Sequence, residues 1–267
     1  ASAAGRASPR YSNAAERKSP LVNAHPESWL PLEALGSRMP PYAPTYDFPP
    51  PYIDRAHEEI ANYPRLDDTL IQMKNRRWFG RAIPGWLRRE DALKLYEMAY
   101  FARGDVLELG TYHGLSTAIL ARAARNSPIP KQVESIDLNP ARTKAAGRNL
   151  DSLGLLAQVT ARSADAVLAV REHAANRRQF AFVFIDHSHA YAPVYEVCQA
   201  LDLIVAPGGF CLFHDFNDGR NRDPNDHDYA VFQAVKDGLD KQRFEFCGIY
   251  GCTALYRETS TPFQKAM

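Results

Sequence analysis

Cysteine is scarce in this sequence and unpaired in spacing: Cys198, Cys211, Cys247 and Cys252 are scattered. That excludes a zinc-type ligand set and predicts reduced thiols in the cytoplasm. Long hydrophobic runs are missing too. No stretch approaches the ~20 apolar residues that span a bilayer, and the polar residues 1–20 hold no apolar segment of a secretory signal. Excess charge of either sign is also absent. Lys and Arg number 32 against 31 Asp and Glu, a net charge of +1, which implies neither nucleic acid nor an anionic membrane. One basic group, Arg76, Arg77, Arg81, Arg88 and Arg89, reads as solvated or partner-facing surface.

What is present divides the chain into four stretches. Residues 1–53 interleave Pro40, Pro41, Pro44, Pro49, Pro50 and Pro51 with Tyr42, Tyr46, Phe48 and Tyr52. Such prolines exclude regular helix and sheet. The rings predict an extended arm that packs on the main domain or on a second copy of the chain, so a homo-oligomer is expected. Residues 54–103 form a helical segment or lid, with two short helices broken at Pro64, the aromatics Trp78, Phe79 and Trp86, and a helix from Arg89 to Arg103 stopped by Gly104. From 104 to 258 strands and helices alternate, which predicts a Rossmann-like, doubly wound, mainly parallel α/β sheet. Its strands are 105–109, 132–137, 157–162, 180–186 and 209–214, followed by a helix over 229–240 and a closing hairpin, 244–250 and 252–257, joined at Gly251. Residues 259–267 are a tail.

Val106 to Thr117 reads as a buried strand that breaks into a glycine turn and then a helix. An acid inside such a strand needs a partner, because a carboxylate buried alone costs several kcal/mol, so Glu108 should face a donor at the strand's carboxyl end. Gly110 and Gly114 let a ligand approach the backbone, and the helix amino terminus offers free N–H groups. The turn therefore suits a ligand with one cationic and one anionic end. A dinucleotide fits less well, since Tyr112 stands where Gly-x-Gly-x-x-Gly needs its second glycine. Asp137 closes the second strand, where a carboxylate can take both hydroxyls of a ribose. Its alternative is to cap the helix at Pro140, but Asn139 is better placed for that.

The acid-x-Gly-x-x-x-Gly turn resembles motif I of the class I S-adenosylmethionine-dependent methyltransferases, and a terminal hairpin on a parallel sheet is typical of their seven-stranded fold. The resemblance implies cofactor contacts from Glu108, Gly110, Thr111, Tyr112, Gly114, Ser116 and Asp137. At the third strand's end such enzymes often read Gly-Asp-Ser/Ala. Arg162 stands here in place of that acid, so Ser163 becomes the adenine-side candidate and Asp165 a helix cap.

The richest cluster is Asp186-His187-Ser188-His189-Ala190-Tyr191, answered by His214-Asp215. Both lie at carboxyl ends of adjacent strands, the edge where open α/β sheets bind ligands. With Pro207-Gly208-Gly209 and Ile83-Pro84-Gly85-Trp86-Leu87, they resemble the small-molecule O-methyltransferases that include the macrocin O-methyltransferases, over roughly residues 80 to 257. The resemblance implies methyl transfer to a small-molecule hydroxyl and gives Asp186 a place beside the cofactor. In several relatives acids at these strand ends hold Mg²⁺, which would make Asp186 and Asp215 metal ligands. Ser188 and His214 depart from that acidic pattern. A histidine of near-neutral pKa is a natural base for a hydroxyl, so His189 and His214 are candidates, and a borderline metal held by histidine and aspartate is a further option. The rivals are an N-methyltransferase, which needs no base, a non-catalytic assembly module, and a metal-dependent hydrolase or oxygenase, which would leave Glu108 and Asp137 without a task.

Overall fold

The computed structural model describes residues 77–260, apart from 79, 80, 88 and 224. The proline-rich arm, the helices expected around Pro64, the Phe79-Gly80 pair and most of the tail lie outside these residues. A two-residue ribbon pairs Arg77–Trp78 with Arg81–Ala82. Helix α1 (Arg89–Phe101) follows, and it buries the predicted stripe of Ala92, Leu95, Tyr96 and Ala99. Its last carbonyls, orphaned as at any helix end, are taken up by Lys131: Nζ donates to the carbonyls of Ala99 and Tyr100 at 2.9 Å each and also to that of Ala102.

The sheet has seven strands: β1 (Val106–Leu109), β2 (Val133–Asp137), β3 (Val159–Ser163), β4 (Phe180–Ile185), β5 (Val205–Phe213), β6 (Phe244–Tyr250) and β7 (Thr253–Glu258). Their order is β3-β2-β1-β4-β5-β7-β6. The first five run parallel, and β7 pairs antiparallel with both β5 and β6. Helices α2 (Leu115–Asn126), α3 (Pro140–Ser152), α4 (Ala166–Ala175), α5 (Tyr191–Cys198), α6 (Leu201–Ile204) and α7 (Val231–Gly238) make the crossovers.

Side chains alternate across the pleat, so Leu107 and Leu109 enter one core with Val183, Val197, Phe213 and Val235, while Val106 enters the other with Tyr96, Ile119, Phe184 and Leu255. Expected bounds mostly hold within a few residues. The larger differences are β5, which begins at Val205 because it first pairs there with Phe180, helices α5 and α6, which the sequence reading did not place, and α4, of which it gave only the Asp165 cap. Strand order reverses at β1, between β2 and β4. A crevice opens at that point in doubly wound sheets, and the expected site residues gather there.

Candidate active site

Between β1 and α2 the chain turns through three left-handed residues, Gly110 (φ 109°), Tyr112 (φ 47°) and Gly114 (φ 87°). Gly110 has a steric reason as well: a Cβ there would fall 2.1 Å from the carbonyl oxygen of Asp186. The amides of Gly110 and Thr111 donate to the Ile136 carbonyl at 2.8 and 3.3 Å. No side chain caps α2, so its first turn presents N–H groups without intrahelical acceptors.

Glu108 is fully buried. Its Oε2 accepts the hydroxyls of Thr117 and Ser135, each at 2.5 Å, and Thr111 adds a 2.6 Å hydroxyl contact to Ser135. Oε1 is buried and makes no hydrogen bond. Burial pushes the carboxyl up to about 7, against the opposing hydroxyls of Ser116, Ser135 and Thr117. The donors foreseen for Glu108 are thus hydroxyls from α2 and β2, and one oxygen is left over.

Asp137 accepts the Tyr112 amide at 2.7 Å and the Asn139 amide at 2.8 Å. Asn139 is the cap of α3, as expected, which leaves Asp137 out of that role though not without partners. Its carboxylate already pins the glycine turn, and each oxygen keeps a lone pair for a further donor. Ser163 is exposed and donates to the Thr143 hydroxyl at 3.0 Å. Asp165 caps α4 by accepting the Leu168 amide. Arg162 pairs with Glu134 and Glu172, away from any ligand role.

At the ends of β4 and β5 the acids and imidazoles converge. His189 Nε2 lies 3.0 Å from Asp215 Oδ2, and His189 remains 45% exposed in its side chain. His214, by contrast, is buried. Its Nδ1 lies 3.2 Å from Asp186 Oδ1 and 3.3 Å from Asp215 Oδ2. Its Nε2 lies 3.4 Å from Cys252 Sγ and 3.8 Å from Asp91 Oδ2. Burial disfavours a charge on His214, yet the carboxylates around it prevail and hold its pKa well above the ordinary histidine value. The Asp215 hydrogen bond likewise raises His189, and together the two imidazoles hold the Asp215 carboxyl far below the usual range despite its burial. Asp215 has φ 57°, a conformation that Asp tolerates better than most residues. Asn221 fixes this loop, since its Nδ2 donates to the Asp215 and Asp218 carbonyls and its Oδ1 accepts the Phe232 amide.

The other cluster members point elsewhere. His187 turns its Nε2 to the Pro193 carbonyl at 3.3 Å, and Tyr191 hydrogen-bonds Asp237. Sequence reasoning missed Asp91 and Cys252, which close the far side of His214, and Tyr229, whose ring is tilted against that of His189 with centroids 4.8 Å apart and lies beneath the Arg220 guanidinium. Asp91 lies on α1, and no local pattern marks it. Among the described residues, Asp186, His189 and Asp215 bring one ligand-type atom each within 4.8 Å of one another, and so do Asp91, His214 and Cys252.

Residues 107–216 match the model of a family described as a methyltransferase domain. Solved structures share the fold at low identity. The O-methyltransferase TomG of Streptomyces achromogenes, involved in tomaymycin synthesis and solved with S-adenosylmethionine, is 17% identical with a TM-score of 0.55, over 75% of this chain and 96% of its own. An O-methyltransferase of Bacillus cereus in complex with S-adenosylhomocysteine is 16% identical with a TM-score of 0.54, over 74% and 90%. A Klebsiella pneumoniae protein described as an O-methyltransferase is 20% identical with a TM-score of 0.53, over 79% and 91%. No curated protein matches the chain. No helix among the described residues is long and apolar enough to cross a membrane.

Proposed function

From the premise that this chain carries a class I S-adenosylmethionine-dependent methyltransferase domain, we propose that it methylates a hydroxyl oxygen of a small molecule, with His189 as the base. When bound, S-adenosylmethionine supplies an electrophilic methyl group on a sulfonium sulfur. The residues present suit it. The uncapped start of α2 and the Gly110–Gly114 turn offer N–H groups to an anionic end. The unpaired Oε1 of Glu108 offers a buried acceptor, Asp137 retains two lone pairs for ribose hydroxyls, and Ser163 lies at the neighbouring strand end for the adenine side.

The observation that carries the O-methyl reading is the His189–Asp215 pair at the carboxyl edge of β4 and β5. A hydroxyl must lose its proton as it attacks, and a partly exposed imidazole backed by a carboxylate can accept it, with Asp215 stabilising the resulting charge. His214 cannot share that task, because it is buried and carboxylates or a thiol face both its nitrogens. Holding the hydroxyl in line with the methyl carbon would supply most of the acceleration. Mg²⁺ does not suit this edge: it wants several hard oxygen ligands, whereas His214 Nδ1 sits between the two carboxylates that would bridge it and His189 occupies Asp215 Oδ2.

The test is labelled methyl transfer from S-adenosylmethionine onto matched panels of small hydroxyl and amine acceptors, beside calorimetry with S-adenosylhomocysteine. Turnover confined to hydroxyls and lowered roughly 100-fold or more in H189A supports the reading. Turnover of amines that survives H189A would establish N-methylation instead, and a folded chain that binds no S-adenosylhomocysteine would leave the assembly-module reading in front.

A further inference from the structure

The oddest residue at the site is the one that the proposed chemistry leaves unused. His214 is buried at the end of β5, and its ring is packed edge-on to Phe184. Asp186 and Asp215 face one nitrogen, and Asp91 with Cys252 faces the other. Carboxylates only accept hydrogen bonds. The ring fills the space among three of them, with Nδ1 3.2 and 3.3 Å from Asp186 Oδ1 and Asp215 Oδ2 and Nε2 3.8 Å from Asp91 Oδ2. Carboxylates that converge in a buried site otherwise need a metal or another cation, because unpaired buried charge is costly.

We propose that the His214 ring occupies the position between Asp186 and Asp215 that a divalent cation would take, so that the residues of the acceptor edge do not fit a hard divalent cation there. This rests on the function proposed above, in which that edge receives the acceptor. Asp91 then belongs to the same device although it lies outside the methyltransferase domain proper: from α1 it closes the far side of the ring with Cys252, accepting the Cys252 amide at 2.8 Å and lying 3.3 Å from its sulfur. Of the two groupings of donors among the described residues, Asp186 with His189 and Asp215 requires an ion to displace His189 from Asp215 and to sit against the His214 ring, while Asp91 with His214 and Cys252 offers an imidazole and a thiol, which suit a soft ion and not Mg²⁺ or Mn²⁺.

The experiment is an electron-paramagnetic-resonance titration of the full chain with Mn²⁺, on wild type and H214D, with metal content of the purified protein measured by mass spectrometry. Wild type should leave Mn²⁺ free at millimolar concentration and be purified without stoichiometric metal. H214D replaces the ring by a third carboxylate, and should bind Mn²⁺ roughly tenfold or more tightly than wild type, since charge count tunes such affinities. Should H214D fail to fold, H214A opens the same gap without the added charge and should still bind Mn²⁺ measurably more tightly than wild type, because Asp186 and Asp215 are then freed of the ring. Stoichiometric Mn²⁺ on wild type, lost in D186N or D215N, overturns the proposal, as does a folded H214D that gains no binding. Calorimetry with S-adenosylhomocysteine on the same samples keeps the two questions apart: a folded wild type that ignores it sinks the methyltransferase reading, while the Mn²⁺ result still reports on the ring.

Discussion

Asp91 and Cys252 stand 161 positions apart in sequence and are joined by a 2.8 Å hydrogen bond from the Cys252 amide to Asp91 Oδ1. The bond ties α1 to the turn between β6 and β7, directly behind His214. Both residues are buried, so removing the carboxylate strands an amide and takes away the charge that lies 3.8 Å from the imidazole. We expect D91A to cost about 3 kcal/mol of stability, and D91N, which keeps one acceptor oxygen, to cost less. Urea unfolding of the two variants beside wild type measures this, and equal midpoints for all three would show that the link contributes nothing.

Glu108 makes the stability of the ligand-free protein depend on pH. Its ordinary value of 4.5 is raised by burial to about 7 in the fold. Between those values the folded chain holds a proton that the unfolded chain has released, so stability rises toward acid: the contribution is complete below 4.5 and is lost as pH rises through 7. The difference corresponds to on the order of 3 kcal/mol. E108Q should flatten this slope and be the more stable protein in mildly alkaline buffer, yet bind S-adenosylhomocysteine more weakly. Thermal melts across pH read the first effect and calorimetry the second.

His189 sets the acid limb of the rate profile. As a base it must be unprotonated, and its hydrogen bond to the Asp215 carboxylate raises its pKa above the ordinary histidine value while burial opposes the shift. The rate should therefore fall as pH drops through an apparent pKa above 6.5. D215N should move that limb to lower pH, and H189A should lower kcat by roughly 100-fold or more and remove the limb altogether. A wild-type profile that is flat across neutral pH would argue against a histidine base.

The reach of the sequence is instructive at these same residues. The strand-turn-helix around Gly110 was legible because glycine at fixed spacing, an apolar run and a helical stripe are all local signals. The seven strands were legible for the same reason. Helix α4 was legible only at its start, through the Asp165 cap, because the alanine-rich Ala166–Ala175 has little apolar contrast; α5 was not, since Pro193 stands inside it. His189 and His214 look alike in sequence, and only the fold tells them apart. His214 is buried at the end of β5, while the loop after β4 leaves His189 partly exposed. Asp91 was unreadable, since its role depends on a contact that no local pattern encodes.

Trp86 offers a report on the glycine turn. It is 58% exposed, a large value for a residue of its size, and its ring lies 5.6 Å from that of Tyr112. Tyr112 holds a left-handed φ of 47° that a bulky side chain adopts only under constraint. The constraint is visible: its amide is bound to Asp137 at 2.7 Å, and its ring meets His113 and the Arg142 guanidinium. A ligand that engages the turn or Asp137 must alter the surroundings of Tyr112 and, through it, of Trp86. Addition of S-adenosylhomocysteine should accordingly change tryptophan fluorescence, and W86F should lose most of that change while keeping affinity within about threefold, because a surface ring away from buried polar partners contributes little to binding. If W86F keeps the full signal, the responding tryptophan is one of the other two in the chain, and the turn is not what the ligand moves.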